Sequence, residues 1–133
     1  MPLALERPFY MNRFEATHGS LLLRSPMGES YPERIDLLFK GVAAVKLTRE
    51  VSTLLVRGAQ EDELDWVVRD CGLTSLVQNG SKAYIIEGGA SLGYVVALSM
   101  FVAADHEHGA NPSALFFDID ARPVPEVPFW RYV

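Results

Sequence analysis

The sequence contains one cysteine and fewer basic than acidic residues. These two shortages argue against an internal disulfide and against binding to nucleic acid. Cys71 cannot form an internal disulfide, so the chain has the cysteine usage of a protein from a reducing compartment. Twelve lysines and arginines stand against 17 aspartates and glutamates, which gives a formal net charge of −5. Because binding to a phosphate backbone requires a concentrated basic surface, we do not expect nucleic acid as a partner. An acidic surface suits a basic protein partner instead.

Long apolar runs are also missing. The longest, GYVVALSMFVAA at residues 93–104, has 12 residues, whereas a membrane-spanning helix needs about 20. The opening MPLALERPFYMN lacks the basic start and the apolar stretch of a signal peptide. We therefore expect no membrane contact and a cytoplasmic location.

What is present is the composition of a folded protein. With 133 residues, 49% of them hydrophobic, the chain is long enough for one α+β domain over residues 1–133 with its own core. Its end carries Pro123, Pro125 and Pro128, and proline disrupts both a regular helix and a central strand. Residues 121–133 are therefore predicted to form an extended tail.

The first half of the chain has the patterns of β-strands. Two strands are expected on either side of the turn at residues 18–20 (HGS), and the apolar run at residues 21–23 (LLL) is typical of a strand covered on both faces. In residues 34–40 apolar and charged side chains alternate, which predicts a half-buried strand. Residues 48–57 are predicted as a strand, with a helix as the competing interpretation.

The second half adds one helix and further strands. Residues 61–71 form the clearest helix, because Leu64, Val67, Val68 and Cys71 share one face and three acidic residues occupy the first turn. Asn79-Gly80 predicts a tight hairpin turn between strands at residues 73–78 and 81–87. One long strand is expected over residues 94–103, and another in ALFFDI at residues 114–119.

These elements predict an α+β fold dominated by antiparallel sheet. Seven or eight strands with short connections would form a curved sheet or a partly closed barrel, packed against the helix at residues 61–71.

The stretch DHEHG at residues 105–109 is the first candidate for chemistry. On an extended strand His106 and His108 would point to the same side, and with Asp105 they could bind a metal. A further ligand would come from Asp118, Asp120 or His18, and the two aspartates, which also lie two residues apart, could act as an acid–base pair. The turn-forming residues that follow favour the simpler interpretation of a solvated loop.

Other catalytic motifs are not matched. GGASLG at residues 88–93 lacks the spacing and the lysine of a phosphate-binding loop, and it is interpreted as a connector between strands. The chain has no G-x-S-x-G motif, and no base is evident beside Cys71. We therefore predict no cofactor.

The aromatic tail is the second candidate site. Phe129, Trp130, Arg131 and Tyr132 are rich in the residue types that dominate protein interfaces, and the prolines before them reduce the entropy lost on binding. The alternative is a tail that closes over the core of its own chain.

Three functional hypotheses follow. The preferred one is a non-enzymatic protein-binding module, comparable in size and charge to small inhibitors such as the bacterial immunity proteins that neutralise a toxin. The second is a small metal-dependent or acid–base hydrolase that uses His106 and His108 with Asp118 or Asp120. The third is a structural protein that self-associates, for example as a homodimer, through a sheet edge or the tail.

Overall fold

The computed structural model describes residues 2–73, 80–89, 91–113 and 115, together with the backbone of residues 129–132. Within these ranges the chain is mostly antiparallel β-sheet with one α-helix, which confirms the predicted α+β class. The helix α1 spans Glu61–Cys71. The strands are β1 (Leu3–Leu5), β2 (Phe9–Glu15), β3 (Ser20–Ser25), β4 (Arg34–Lys40), β5 (Ala44–Lys46), β6 (Glu50–Val51), β7 (Leu54–Gly58), β8 (Lys82–Glu87), β9 (Gly93–Ala97), β10 (Ser99–Asp105) and β11 (Phe129–Tyr132).

The strands form two sheets. Sheet A has the order β1-β7-β8-β9-β5, and sheet B has the order β11-β10-β4-β3-β2-β6. Every neighbouring pair is antiparallel. The predicted seven or eight strands are too few, because the described residues alone contain 11, several of them only two or three residues long. Closure into a barrel is not shown.

Five chain segments pass from one sheet to the other. They join β1 to β2, β4 to β5, β5 to β6, β6 to β7 and β9 to β10. The prediction of one long strand over residues 94–103 is therefore wrong, because the chain bends at Leu98 and changes sheets. The bend is held by the Leu98 N–H, which donates to the Lys40 carbonyl at 2.9 Å, and Leu98 packs on Gly41, where the neighbouring segment also turns.

The main core lies between the sheets. It is built by side chains that alternate along each strand, since successive residues point to opposite faces. Its fully buried members include Leu21, Leu23, Leu37, Phe39, Val56, Ile86 and Val95. The expectation that residues 21–23 are covered on both faces is confirmed, because Leu22 packs in a separate cluster on the outer face of sheet B.

Strand β4 differs from its prediction. Ile35, Leu37 and Phe39 face the core as expected, but Arg34 and Asp36 on the other face are also buried, at 0% and 1% exposure. The strand is therefore covered on both faces and not half-buried. Alternation alone suggested a solvated face because charged residues are rarely buried without a partner.

Helix α1 confirms its predicted bounds and covers the outer face of sheet A. It begins with a capping box between Gln60 and Glu63 and ends at Gly72, whose φ of 79° suits glycine. Val67, Val68 and Cys71 of the predicted stripe pack against the sheet, whereas Leu64 is exposed and Trp66 packs beside Val67 instead. Arg57 of β7 binds Glu63 through two hydrogen bonds of 2.6 and 2.8 Å.

The remaining predictions are settled in part. Residues 48–57 contain β6 and β7, so the strand interpretation is confirmed and the helix is excluded. Gly80 has the positive φ of 69° that the hairpin requires, whereas residues 74–79 lie outside the described residues. The strand expected at residues 114–119 and the tail at residues 121–128 also lie outside them, apart from Leu115. In the described part of the chain, no helix has the length and apolar character to cross a bilayer.

Candidate functional site: a loop held by two buried arginines

Two ion pairs lie buried on the outer face of sheet B. Arg24 of β3 is opposite Asp36 of β4, and Arg34 of β4 is opposite Asp105 of β10. Arg24 binds Asp36 through two hydrogen bonds of 2.7 and 3.0 Å, and Arg34 binds Asp105 through two of 2.8 and 2.7 Å. Arg34 also lies 3.9 Å from Asp36, which links the pairs. We call these four side chains the arginine clamp.

The clamp holds the loop that follows β10. Arg24 donates to the carbonyls of Gly109 and Asn111 at 2.6 and 3.0 Å. Arg34 donates to the carbonyls of His108, Asn111 and Pro112 at 3.0, 2.7 and 3.1 Å. Only a guanidinium has enough donors, in a fixed planar fork, to bind a carboxylate and several carbonyls at once. Residues 106–113, which we call the clamped loop, are thus fixed through their backbone on the side that faces sheet B.

The electrostatics of the clamp are balanced internally. Burial would lower the pKa of the Arg24 guanidinium, but the hydrogen bonds to Asp36 and the charge of Asp36 outweigh burial and raise that pKa. Two arginines and two aspartates have no net charge, and each charged group has a hydrogen-bonded partner of opposite sign. This pairing is what allows four charged side chains to lie at exposures of 4% or less.

The side of the clamped loop that faces away from sheet B is exposed to solvent. His106, Glu107 and His108 are exposed, as is Asn111. Glu107 accepts a hydrogen bond from the Asn111 amide at 2.8 Å, and His108 Nδ1 accepts one from the Ala110 N–H at 3.1 Å. The polar side chains therefore also brace the loop internally.

The structure separates the residues that the sequence grouped. Asp105 is buried in the clamp, whereas His106 and His108 are exposed beyond the end of β10. Among the described residues no three or more His, Cys, Asp or Glu side chains come together in a way that could hold a metal. Asp118 and Asp120 lie outside those residues, so the metal and acid–base hypotheses stay predictions. His18 lies exposed at the β2–β3 turn.

The aromatic tail approaches the same side of sheet B. The backbone of β11 pairs with β10, with Phe129 opposite Ala103 and Tyr132 opposite Met100. The tail strand and the clamped loop therefore both adjoin β10, and among the described strands β11 lies at the edge of sheet B, as expected for a segment that follows three prolines. The interface role of Phe129, Trp130, Arg131 and Tyr132 stays a prediction.

Sequence reasoning missed the arginines. A signal was present, because Arg24 ends an apolar run in SLLLRS and Arg34 and Asp36 interrupt one in RIDLLF. A charged residue flanked by core positions on a strand is either on a solvated face or in a buried pair. The sequence could not distinguish these cases, because the partners are up to 71 residues apart.

The glycines of GGASLG have a packing role. A side chain at Gly88, whose φ is 127°, would place its Cβ 1.7 Å from the Thr53 carbonyl oxygen, and one at Gly93 would place it 2.4 Å from the Lys46 carbonyl oxygen. The loop therefore lies directly against neighbouring backbone, in agreement with its interpretation as a connector. It borders an open cleft of about 810 Å³ that Phe9, Tyr10 and Glu50 also line.

Comparisons of the chain with family models, with curated proteins and with solved structures give no match.

Proposed function

We propose that this protein is a non-enzymatic, cytoplasmic protein-binding module and that the clamped loop is its recognition surface. The observation that carries the proposal is the set of five hydrogen bonds from two buried arginines to the carbonyls of one exposed loop. The outward side chains of that loop, His106, Glu107, His108 and Asn111, make the contact.

The energetics of buried charge support this use. Replacing a buried ion pair by apolar residues is often neutral or stabilising, so such a pair is weak as a source of stability alone. Here the two pairs fix the backbone of a loop that is itself polar and exposed. A loop held in one conformation loses little entropy when it binds, which raises affinity without further contacts.

The polar groups of the loop support binding over chemistry. The Asp105 carboxylate is occupied by Arg34, Glu107 is bound to Asn111, and the Nδ1 of His108 accepts a backbone N–H. Polar groups that already have hydrogen-bond partners give the loop a fixed shape and a fixed arrangement of donors and acceptors. The net charge of −5 favours a basic partner, since complementary fields accelerate association.

The test begins with photo-crosslinking in cells of the source. A crosslinkable residue replaces His106, and a control carries it at Leu64, which is exposed on α1. A protein crosslinked from position 106 alone is then purified and titrated calorimetrically with the wild type and with H106A, E107A and L64A. We expect at least one loop variant to weaken binding by at least about tenfold, and L64A to bind as the wild type does.

Two outcomes overturn the proposal. One is that position 106 captures nothing beyond the control, or that the purified protein binds H106A and E107A as tightly as the wild type. The other is stoichiometric zinc in the untagged protein that is lost when both histidines are replaced, which would favour the hydrolase hypothesis.

A further inference from the structure

A second surface lies where β6 pairs with β2 at the edge of sheet B. The open cleft of about 810 Å³ is found there, and its apolar lining comes from Pro8, Phe9, Tyr10, Pro26 and Val51. A cleft of this size can hold a side chain of a partner together with the residues that flank it. We call it the Tyr10 cleft.

The strand register brings a carboxylate to this cleft. Glu50 of β6, which also lines it, pairs with Tyr10 of β2, and Tyr10 pairs with Arg24 of β3. Because directly opposed residues of antiparallel strands share a face, Glu50 and Tyr10 lie on the outer face of sheet B, in one row with the arginine clamp. The clamp has no net charge, so it does not neutralise Glu50. In the described part of the chain Glu50 is exposed and forms no ion pair.

The charges at the cleft favour a cation. Among the described residues that line it, Glu50 is the one charged side chain. Glu6 and Glu29, which are close in the chain to the lining prolines, are also exposed. Of the cations in the same segments, Arg7 is buried, and Arg49, which precedes Glu50, is not part of the lining. The local charge therefore attracts a positive group and gives no advantage to an uncharged or an acidic one.

The chemistry of the lining selects the kind of cation. A metal ion requires several ligands, and the described residues contain no group of three or more acidic, histidine or cysteine side chains that could hold one. An arginine side chain has a long apolar stem and a charged end, which match an apolar lining with one carboxylate. A guanidinium also binds a carboxylate at two points and stacks on an aromatic ring, and Glu50 and Tyr10 supply these two groups side by side.

We propose that the Tyr10 cleft is a binding site for an arginine side chain of the partner protein, with the stem against Tyr10 and the guanidinium at Glu50. The cleft borders the clamped loop, because Pro26 lines it and a Cβ at Gly109 would lie 3.4 Å from the Pro26 side chain. One partner can therefore contact both surfaces. The inference rests on the proposed function in that the arginine belongs to a protein, and it names the basic residue which that protein supplies.

NMR titration with a short blocked peptide that carries one arginine between glycines tests the cleft by itself. We expect saturable shifts of the backbone amides of Tyr10, Val51 and Gly88 at millimolar peptide. A matched peptide with citrulline, which has nearly the same shape but no charge, should bind at least about fivefold more weakly. E50Q should weaken binding of the arginine peptide by a similar factor. E61Q, which removes the same charge at an exposed position of α1, should bind it as the wild type does.

Three results of this titration overturn the proposal: no saturable shift at millimolar peptide, shifts confined to residues outside the cleft, or equal binding by E50Q and E61Q. An equally tight citrulline peptide also overturns it, because the charge would then play no part. The titration contains no partner protein, so its failure is distinct from a failure of the crosslinking at position 106. A protein that captures a partner at position 106 but does not bind the arginine peptide would keep the clamped loop as its recognition surface without the Tyr10 cleft.

Discussion

Arg24 and Asp36 lie opposite each other on neighbouring strands and form a two-point ion pair, with side-chain exposures of 2% and 1%. This pair lies on the outer face of sheet B and is shielded there from solvent. The clamped loop lies over it, and the loop is held by the hydrogens that Asp36 leaves free on Arg24.

Removing the acid of this pair should be costly. D36A leaves a buried guanidinium without its carboxylate, and we expect the free energy of unfolding to fall by about 3–5 kcal/mol in urea denaturation. The matched change E15A, in the exposed pair with Arg13, should cost less than about 1 kcal/mol. The double variant R24M/D36L should recover part of the loss. Equal costs for D36A and E15A would show that Asp36 is not needed to compensate the buried charge of Arg24.

Replacing Arg34 by lysine tests the fork geometry. R34K keeps the charge but cannot bind Asp105 at two points while it also donates to three carbonyls. We expect a loss of about 2–4 kcal/mol in the free energy of unfolding, and faster hydrogen exchange and proteolysis within residues 106–113 than elsewhere. Unchanged exchange in the loop would show that Arg34 does not hold it.

Acid should weaken the junction between α1 and sheet A. The hydrogen bonds from Arg57, and then the one from the Gln60 N–H, lower the pKa of Glu63 from 4.5 to about 2. A lowered pKa in the folded state means that the contribution of Glu63 is complete above pH 4.5 and is lost as the pH falls towards 2. Between pH 4.5 and 2, the free energy of unfolding measured by denaturation should change less for E63Q and R57Q than for the wild type. An equal change in all three proteins would show that the Glu63–Arg57 pair does not cause this pH dependence.

Gly88 should tolerate no side chain. G88A combines a φ of 127° with a contact of 1.7 Å to the Thr53 carbonyl oxygen, so the connector would have to move. We expect a loss of at least about 2 kcal/mol in the free energy of unfolding. G58A is the control, because its Cβ would meet no atom within 4 Å, and it should change stability by less than about 1 kcal/mol. A G88A protein as stable as G58A would show that the connector does not lie against Thr53.

Local patterns predicted the elements that depend on near neighbours. The helix was predicted from its acidic first turn and its apolar face, and the β2–β3 hairpin was predicted from the HGS turn, in which Gly19 has a φ of 58°. These signals are contained in a few consecutive residues, so they survive without knowledge of the rest of the fold.

Features that depend on distant partners were not predictable in the same way. The bend at Leu98 has no proline or glycine of its own and is set by Lys40 and Gly41 of another segment. Arg57 of β7 binds Glu63 of α1, and the buried Asp105 is paired with Arg34 of another strand. The sequence therefore indicated a solvated loop at residues 105–109, but it could not show that Asp105 is buried in the sheet while His106 and His108 are exposed.

The passage of five chain segments between the sheets has a consequence for how the protein unfolds. Each of these segments joins a strand of one sheet to a strand of the other. Neither sheet can therefore unfold without displacing the strands of the other. The two sheets should therefore melt in a single all-or-none transition, and neither could be excised as a smaller folding unit.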